Sequence, residues 1–429
     1  MKRILLLMSA SLVISAATAA TYYVSPTGND NNAGTSDAPV KTISKGVSKA
    51  TAAGDIVSLA DGDYEIGSQI KITKAISIQG NVADCSKVVV NCKGVQDALK
   101  NESGADGWSI FGLTFTNINR AVYSKNAITI GKCVFRQSKS GGANTGSALC
   151  FPAGSEDGEK LVEDCLFEDL KTASNCKGAI YLDGTFPIVV RRCTFKNCNA
   201  TNNGGAIGQQ NPGGIVLAVE NSAFLNCSSS GSGAIYLLAN TGKTATLRSC
   251  LFVGNASTAT GNSACGSVVL TSTDAIFENC TFANNTSATY NINTATVRVS
   301  AGSGSFVNCI FWNNLKLNKS GGTLSKEVSV SGTYVASSSA ASAAAALTGD
   351  TNIKLSASPF AGAGIYTLAH KIGEADNPCL GVGVKLGWMT EDSKDLAGNP
   401  RLRGDNVVDL GCYEFVETVA SAGFLMLID

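Results

Sequence analysis

The sequence predicts an all-β fold, a parallel β-helix in which short strands wind into stacked coils. Three observations carry this. A tripeptide recurs as Cys133-Val-Phe135, Cys165-Leu-Phe167, Cys193-Thr-Phe195, Ser222-Ala-Phe224, Cys250-Leu-Phe252, Cys280-Thr-Phe282 and Cys309-Ile-Phe311, at spacings of 28–32 residues. A second pattern keeps the same period: Gly178-Ala-Ile180, Gly205-Ala-Ile207 and Gly233-Ala-Ile235, with Ser147-Ala-Leu149 as a looser copy. Charged residues make up only 15% of the chain while glycine supplies 46 of its 429 residues. That balance leaves much surface to bury and asks for many turns. The repeating segments are β-branched and aromatic and are bounded by Gly, Asn and Ser, which are strand and turn signals. A period near 29 suffices for three short strands and three turns, whereas propeller blades need about 40 residues or more.

The elements follow in chain order. Lys2 and Arg3 precede an apolar run from Ile4 to Ile14 that ends in small residues at Ala17-Thr18-Ala19-Ala20, the pattern of a signal peptide over residues 1–20. Residues 21–55 form an N-terminal cap, in which Lys41 to Ala52 has helical character and plugs the first coil. Residues 56–315 form about ten coils, beginning with Ile56-Val-Ser-Leu59, Ile76-Ser-Ile78 and Val88-Val-Val90. Residues 316–415 form a C-terminal capping region, with 316–350 irregular and the run Ala336 to Leu347 a loop or short helix over the core. Residues 416–429 are a tail. No later stretch is apolar for long enough to span a membrane as a helix.

In a parallel β-helix each residue stacks on its equivalent one coil away, about 4.8 Å off. Each recurring position is therefore a physical column. The Cys and Phe positions lie two apart, so they share one face, directed inward. Asp169, Asn197, Asn226, Gly254, Asn284 and Asn313, two residues after each Phe, are expected at bends, where Asn tolerates left-handed backbone. The Gly-Ala positions mark tight corners. Six stacked cysteines in one column fit a buried ladder of free thiols better than disulfides, which need Cβ atoms near 3.8 Å and a particular dihedral.

The elements Phe252 to Asn255, Phe282 to Asn285, Phe311 to Asn314 and Gly204 to Ile207 resemble the repeats of polymorphic outer-membrane adhesin-like proteins. The opening, Tyr22-Tyr-Val-Ser-Pro-Thr-Gly-Asn-Asp30 with Pro39, Gly54-Asp55 and Asp61-Gly-Asp-Tyr64, resembles exported right-handed β-helices of the pectate-lyase-like superfamily. The end, Asp395-Leu-Ala-Gly-Asn-Pro-Arg401 with Val408-Asp-Leu-Gly-Cys-Tyr-Glu-Phe415, resembles a choice-of-anchor Q region. The resemblance implies a single-stranded right-handed parallel β-helix with two caps, on a bacterial secreted or cell-surface protein. It implies no particular reaction, because this fold carries lyases, hydrolases and adhesins alike.

Composition and motifs narrow the chemistry. Lys plus Arg and Asp plus Glu are 33 each, which argues against nucleic acid as a partner. The single histidine, His370, excludes multi-histidine metal sites, and no Cys-x-x-Cys pair occurs. Two positions before the Cys column the charge alternates through Glu163, Arg191, Glu220, Arg248 and Glu278, which reads as an inter-coil ion-pair ladder. The candidates for catalysis are Glu163, Asp164, Glu168 and Asp169 on one coil, facing Arg191, Arg192 and Lys196 on the next. A polysaccharide lyase needs carboxylates to hold Ca²⁺ or a uronate and a cation to take the proton, yet the same offsets produce plain ion pairs. Asp61-Gly-Asp63 reads as a turn, as does Asn29 to Asn32 ahead of a weak Ca²⁺ site. The expected function is non-catalytic binding of a polysaccharide or cell-surface ligand, adhesin-like, with no cofactor. The alternative is a polysaccharide lyase or other carbohydrate-active enzyme, and only there does Ca²⁺ enter. The discriminator is whether one lateral row of the rod concentrates carboxylates, cations and aromatics in a groove, as an enzyme would, whereas scattered polar residues favour binding or scaffold roles.

Overall fold

The structure is a computed structural model. It describes residues 19–416 apart from 139–146, 155–157, 173–176, 259–264, 289–294, 319–320, 325, 331–333, 343–346, 348 and 350. The predicted signal peptide and tail fall almost wholly outside the described residues.

The chain is a right-handed parallel β-helix. Three long sheets run its length. Sheet I has twelve strands, from Thr21–Val24 to Tyr334–Ser337; sheet II has twelve, from Gly62–Glu65 to Ile353–Leu355; sheet III has ten, from Ile70–Lys71 to Lys326–Val330. Every pairing inside these three sheets is parallel, and each coil visits I, II and III in turn. A short fourth sheet, from Lys171–Thr172 to Gly321–Leu324, lies between II and III.

The corners are made by single left-handed residues. Between sheets I and II, Asp164, Arg192, Asn221, Ser249, Asn279 and Asn308 all have φ of 45–56°. After sheet II, Asp169, Asn197, Asn226, Gly254, Asn284 and Asn313 have φ of 51–63°, as their residue types led one to expect. At the third corner a side chain on Gly205 would collide with the carbonyl oxygen of Gly233 on the coil above, so only glycine fits.

The predicted columns are present. Phe115, Phe135, Phe167, Phe195, Phe224, Phe252, Phe282 and Phe311 stack with ring centroids 4.6–5.1 Å apart, the strand spacing imposed on the rings. All the cysteines described are free thiols. Those of the main column are buried, and each donates to the carbonyl two residues before it: Cys165 to Glu163, Cys193 to Arg191, Cys250 to Arg248. Burial pushes the Cys165, Cys250 and Cys309 thiols well up, so they stay protonated.

The N-terminal end holds one helix, α1 (Ile43–Lys49), started by the Thr42 side chain and seated through Gly46 on Val24 and Val57. Asp30 fastens it by accepting from the Lys41 and Thr42 amides.

Two features differ from the sequence expectation. The Ala-rich run is neither loop nor helix where it is described: Tyr334–Ser337 and Ala340–Ser342 are strands that continue sheets I and II. Ser339-Ala-Ala341 is a further copy of the Cys-x-Phe repeat, with Ser339 donating to Ser337 and Ala341 in register with Phe311. The second difference is the segment from 356 to 416, which lies along the outer face of sheet II. There Leu225, Leu251, Val253, Ala283 and Ile310 form a second apolar cluster with Phe360, Leu368, Cys379, Leu410 and Cys412.

Candidate functional site

The candidates named from sequence sit at the corner between sheets I and II and on the outer face of II. Glu163 and Arg191 are register partners and pair at 2.9 Å. Arg192 reaches Asp164 at 2.6 Å and Glu163 at 2.8 Å. Hydrogen bonding from Arg192 holds the Asp164 carboxyl below its usual range, and Asp164 in turn raises the guanidinium. These four groups neutralise one another, and guanidinia held by carboxylates at 2.6–2.9 Å are kept charged, which disfavours their taking a proton. Glu168 and Lys196 are register partners on sheet II, and Asp169, at a corner, accepts from the Asn197 amide. The charge ladder continues as Arg248 with Glu278 at 2.7 Å and Glu220 at 3.9 Å, while no ion pair joins Arg191 to Glu220 among the described residues. Among the described residues no three His, Cys, Asp or Glu side chains gather as a metal site. His370 stacks on Phe415, with centroids 5.4 Å apart.

The concentration of cations and aromatics lies elsewhere, on the outer face of sheet III. Pairing places Lys71, Lys100, Tyr123, Cys150, Tyr181, Gly208 and Tyr236 in one row. The flanking residues explain its direction: Leu99, Val122, Leu149, Ile180 and Leu182 are buried inward, so their neighbours point out. At the N-terminal end of the row the Lys100 ammonium lies 5.1 Å from the centre of the Tyr123 ring and the Arg120 guanidinium 5.6 Å from it. Arg120 pairs at 2.6 Å with Asp97, a buried carboxylate, and Lys100 pairs with Glu102 at 3.0 Å. The hydrogen bond from Lys100, with the fields of Lys125 and Lys71, pulls the Glu102 carboxyl down. Among the described residues, Lys71, Lys100, Arg120 and Lys125 thus face Asp97 and Glu102, four positive charges against two negative. Burial pushes the Tyr123 phenol up to about 12, so it stays a neutral donor and acceptor. Farther along, the Tyr181 hydroxyl lies 3.4 Å from Asp183, which also receives the Asn211 amide.

A depression of about 760 Å³ opens beside this row at the corner of sheets III and I, lined by Lys74, Gly104, Asp106, Asn126 and Gly158 among others. The nearby Lys160 is sealed in the core, where its ammonium donates to the Lys125 and Gly158 carbonyls and lies 5.0 Å from the Phe186 ring centre. Burial pushes that amine down to about 8.

The sheet III row escaped sequence reasoning because residues 71, 100 and 123 precede the first Cys-x-Phe copy, so nothing in the sequence set their register. A signal existed farther on. The residue after the last member of each Gly-Ala-Ile copy is Tyr181, Gly208 or Tyr236, an outward position by strand alternation.

Comparison with known proteins adds the following. Residues 26–87 match the family described as "Protein of unknown function (DUF1565)". That stretch holds Asp30, Asp55, which accepts from the Ala52 amide, and Tyr64, whose hydroxyl donates to Ala60. No curated protein matches the chain. Among solved structures, the chain is similar to pectate lyase Pel9A, at 18% identity over 92% of this chain and 96% of that one, with a TM-score of 0.49. It is similar to Escherichia coli ybhC at 13% identity over 57% and 75%, TM-score 0.35, and to a rhamnogalacturonan lyase at 14% over 75% and 87%, TM-score 0.33. At these identities and TM-scores the likenesses carry no statement about ligand or activity.

Proposed function

We propose that this protein is an exported, non-catalytic β-helix that binds an acidic polysaccharide on the outer face of sheet III. One observation carries the reading: Lys100 and Arg120 converge on the Tyr123 ring, in an outward row that continues to Tyr181. Pyranose rings present apolar faces to aromatics, and anionic substituents seek fixed cations. The cations flanking Tyr123 are engaged by Asp97 and Glu102, which suits holding a ligand better than taking a proton from it. The signal-peptide pattern of residues 1–20 favours a secreted or surface location, in keeping with the adhesin-like repeats. The choice-of-anchor-like motifs supply the segment that braces sheet II. In this reading residues 21–55 cap the N-terminal end of a binding solenoid, and the segment from 356 to 416 braces its sheet II rather than closing its far end.

The test is a glycan panel. Uronate-containing oligosaccharides should bind, with affinity falling as salt rises. Tyr123→Ala should weaken binding about tenfold, or about 1.4 kcal/mol. Arg192→Gln, at the sheet I–II corner, should leave it unchanged. Binding restricted to neutral glycans would sink the charge argument. Release of an unsaturated, ultraviolet-absorbing product would replace binding with lyase chemistry.

A further inference from the structure

The row on sheet III is not open along its whole length. Gly208 follows Tyr181 in the row, and a side chain there would collide with the carbonyl oxygen and Cβ of Lys177. The main chain entering the Ile180–Leu182 strand therefore lies directly on the row at Gly208, between Tyr181 and Tyr236. At the opposite end the row starts at Lys71, because Ile70–Lys71 is the first strand of sheet III. Between Tyr123 and Tyr181 the row's Cys150 is buried, and the Arg120 guanidinium leans over it, 3.9 Å from the sulfur, and covers the row at that step.

We infer that the outer face of sheet III is a lane of fixed length, running from Lys71 to Tyr181 and stopped by Lys177, which takes a short segment of an anionic pyranoside chain laid parallel to the rod. This rests on the binding function proposed above and adds the orientation and size of the ligand. From Lys71 to Tyr181 is four strand steps, about 20 Å, room for about four sugar rings at one ring per step. Tyr123 and Tyr181 are two steps apart, about 10 Å, so they serve as platforms for alternate rings. Lys71, Lys100 and Arg120 hold the charged substituents at one end. Tyr236, although in the same row, lies beyond the stop and takes no part.

Calorimetric titration with oligogalacturonates of increasing length, from the disaccharide upwards, tests this. Affinity should rise up to about the tetramer and then stay level. Tyr181→Ala should lower tetramer affinity fivefold or more and change disaccharide affinity less than twofold. Tyr236→Ala should change neither, with melting temperature recorded to confirm folding. A sulfated series of the same lengths separates sulfate from carboxylate ligands, and a plateau at the same length in either series supports the lane. Affinity that keeps climbing past the tetramer, or weakening by Tyr236→Ala, overturns the stop at Lys177 while leaving the binding function standing. No binding at any length in both series overturns both.

Discussion

Cys193 and Ser222 are neighbours in one column and satisfy the same kind of backbone group. Cys193 donates to the Arg191 carbonyl at 3.3 Å, Ser222 to the Glu220 carbonyl at 2.8 Å, and Ser339 repeats the contact at Ser337. The column therefore selects a small buried donor beside a left-handed corner, and thiol chemistry is incidental. Cys193→Ser should cost less than about 1 kcal/mol, whereas Cys193→Val, which removes the donor, should cost about 1–3 kcal/mol; urea unfolding of the two variants checks the difference. A parallel substitution occurs at the next corner. Cys198 and Cys227 donate to the carbonyls of Phe167 and Phe195, and Asn255, Asn285 and Asn314 then take over with Phe224, Phe252 and Phe282. The amide ladder ends on Glu327, whose carboxyl receives Asn314 and Thr296. Burial pushes that carboxyl up to about 8. With a raised folded pKa this carboxyl holds its proton more tightly in the native state than in the unfolded chain, so the stability it contributes is fully present below about 4.5 and is lost as pH rises toward 8. Glu327→Gln mimics the protonated carboxyl and should flatten the fall, leaving the variant a few kcal/mol more stable than the parent at pH 8 and about equal at pH 4.5. Glu414, pushed up to about 7 by burial against the pull of Arg401, adds to the fall in both proteins. Parallel melting curves that keep one offset at every pH would refute the assignment.

The segment from 356 to 416 has little regular structure beyond two short hairpins, Phe360–Gly362 with Ile365–Leu368 and Lys371–Ile372 with Ala375–Asp376, yet a buried polar knot holds it to sheet II. Arg401 is fully buried; it pairs with Glu414 at 2.7 Å, donates to the Gly411 and Cys412 carbonyls and reaches Ser249 on the corner between sheets I and II. The same column of corners receives the segment again through Asn279 to the Asp409 carbonyl and Asn308 to the Val384 carbonyl. The motif residues at 395–401 and 408–415 thus serve attachment. Their docking face was readable in principle. The outward position after each Phe is Arg136, then Glu168 and Lys196, but becomes Leu225, Val253, Ala283 and Trp312 where the segment covers it. The switch from charged to apolar at a fixed repeat position marks a covered face, less conspicuous in the sequence than the inward columns because no single residue type recurs there. Arg401→Ala leaves Glu414 buried without its partner, which should cost about 3–5 kcal/mol. Limited proteolysis should then cut between residues 356 and 416 while the coils persist. Equal protease resistance of parent and variant would show that the apolar contacts alone suffice.

Across the whole rod, the coils from about 130 to 311 were legible because Cys and Phe recur in them at one period and fix the register. The earlier coils were not, since Val88-Val-Val90 and Leu113-Thr-Phe115 keep the inward alternation but lack the cysteine that made it conspicuous. Sheet III's outer row depends on those early coils, so it was hidden with them. The same geometry has a mechanical consequence. Each coil touches only its neighbours, so stability propagates along one dimension. The lateral segment breaks that simplicity by bridging the coils from Ala223 to Leu355, whereas among the described residues the coils before them have no such brace. Phe224 stands at the boundary, with ring centroids 5.0 Å from Phe195 and 4.7 Å from Phe252. Phe224→Ala removes a ring from the continuous stack and should cost about 3–5 kcal/mol. Its expected signature is loss of cooperativity as well: the N-terminal coils should melt first and the braced coils later. Trp108, buried in the early coils, and Trp312 and Trp388, on the braced side, report the two halves separately. In variants that keep only Trp108 or only Trp312, Phe224→Ala should separate the two fluorescence transitions, while Phe282→Ala, inside the braced half, should shift both without parting them. Coincident transitions in Phe224→Ala would mean that the Phe stack is not what couples the two halves.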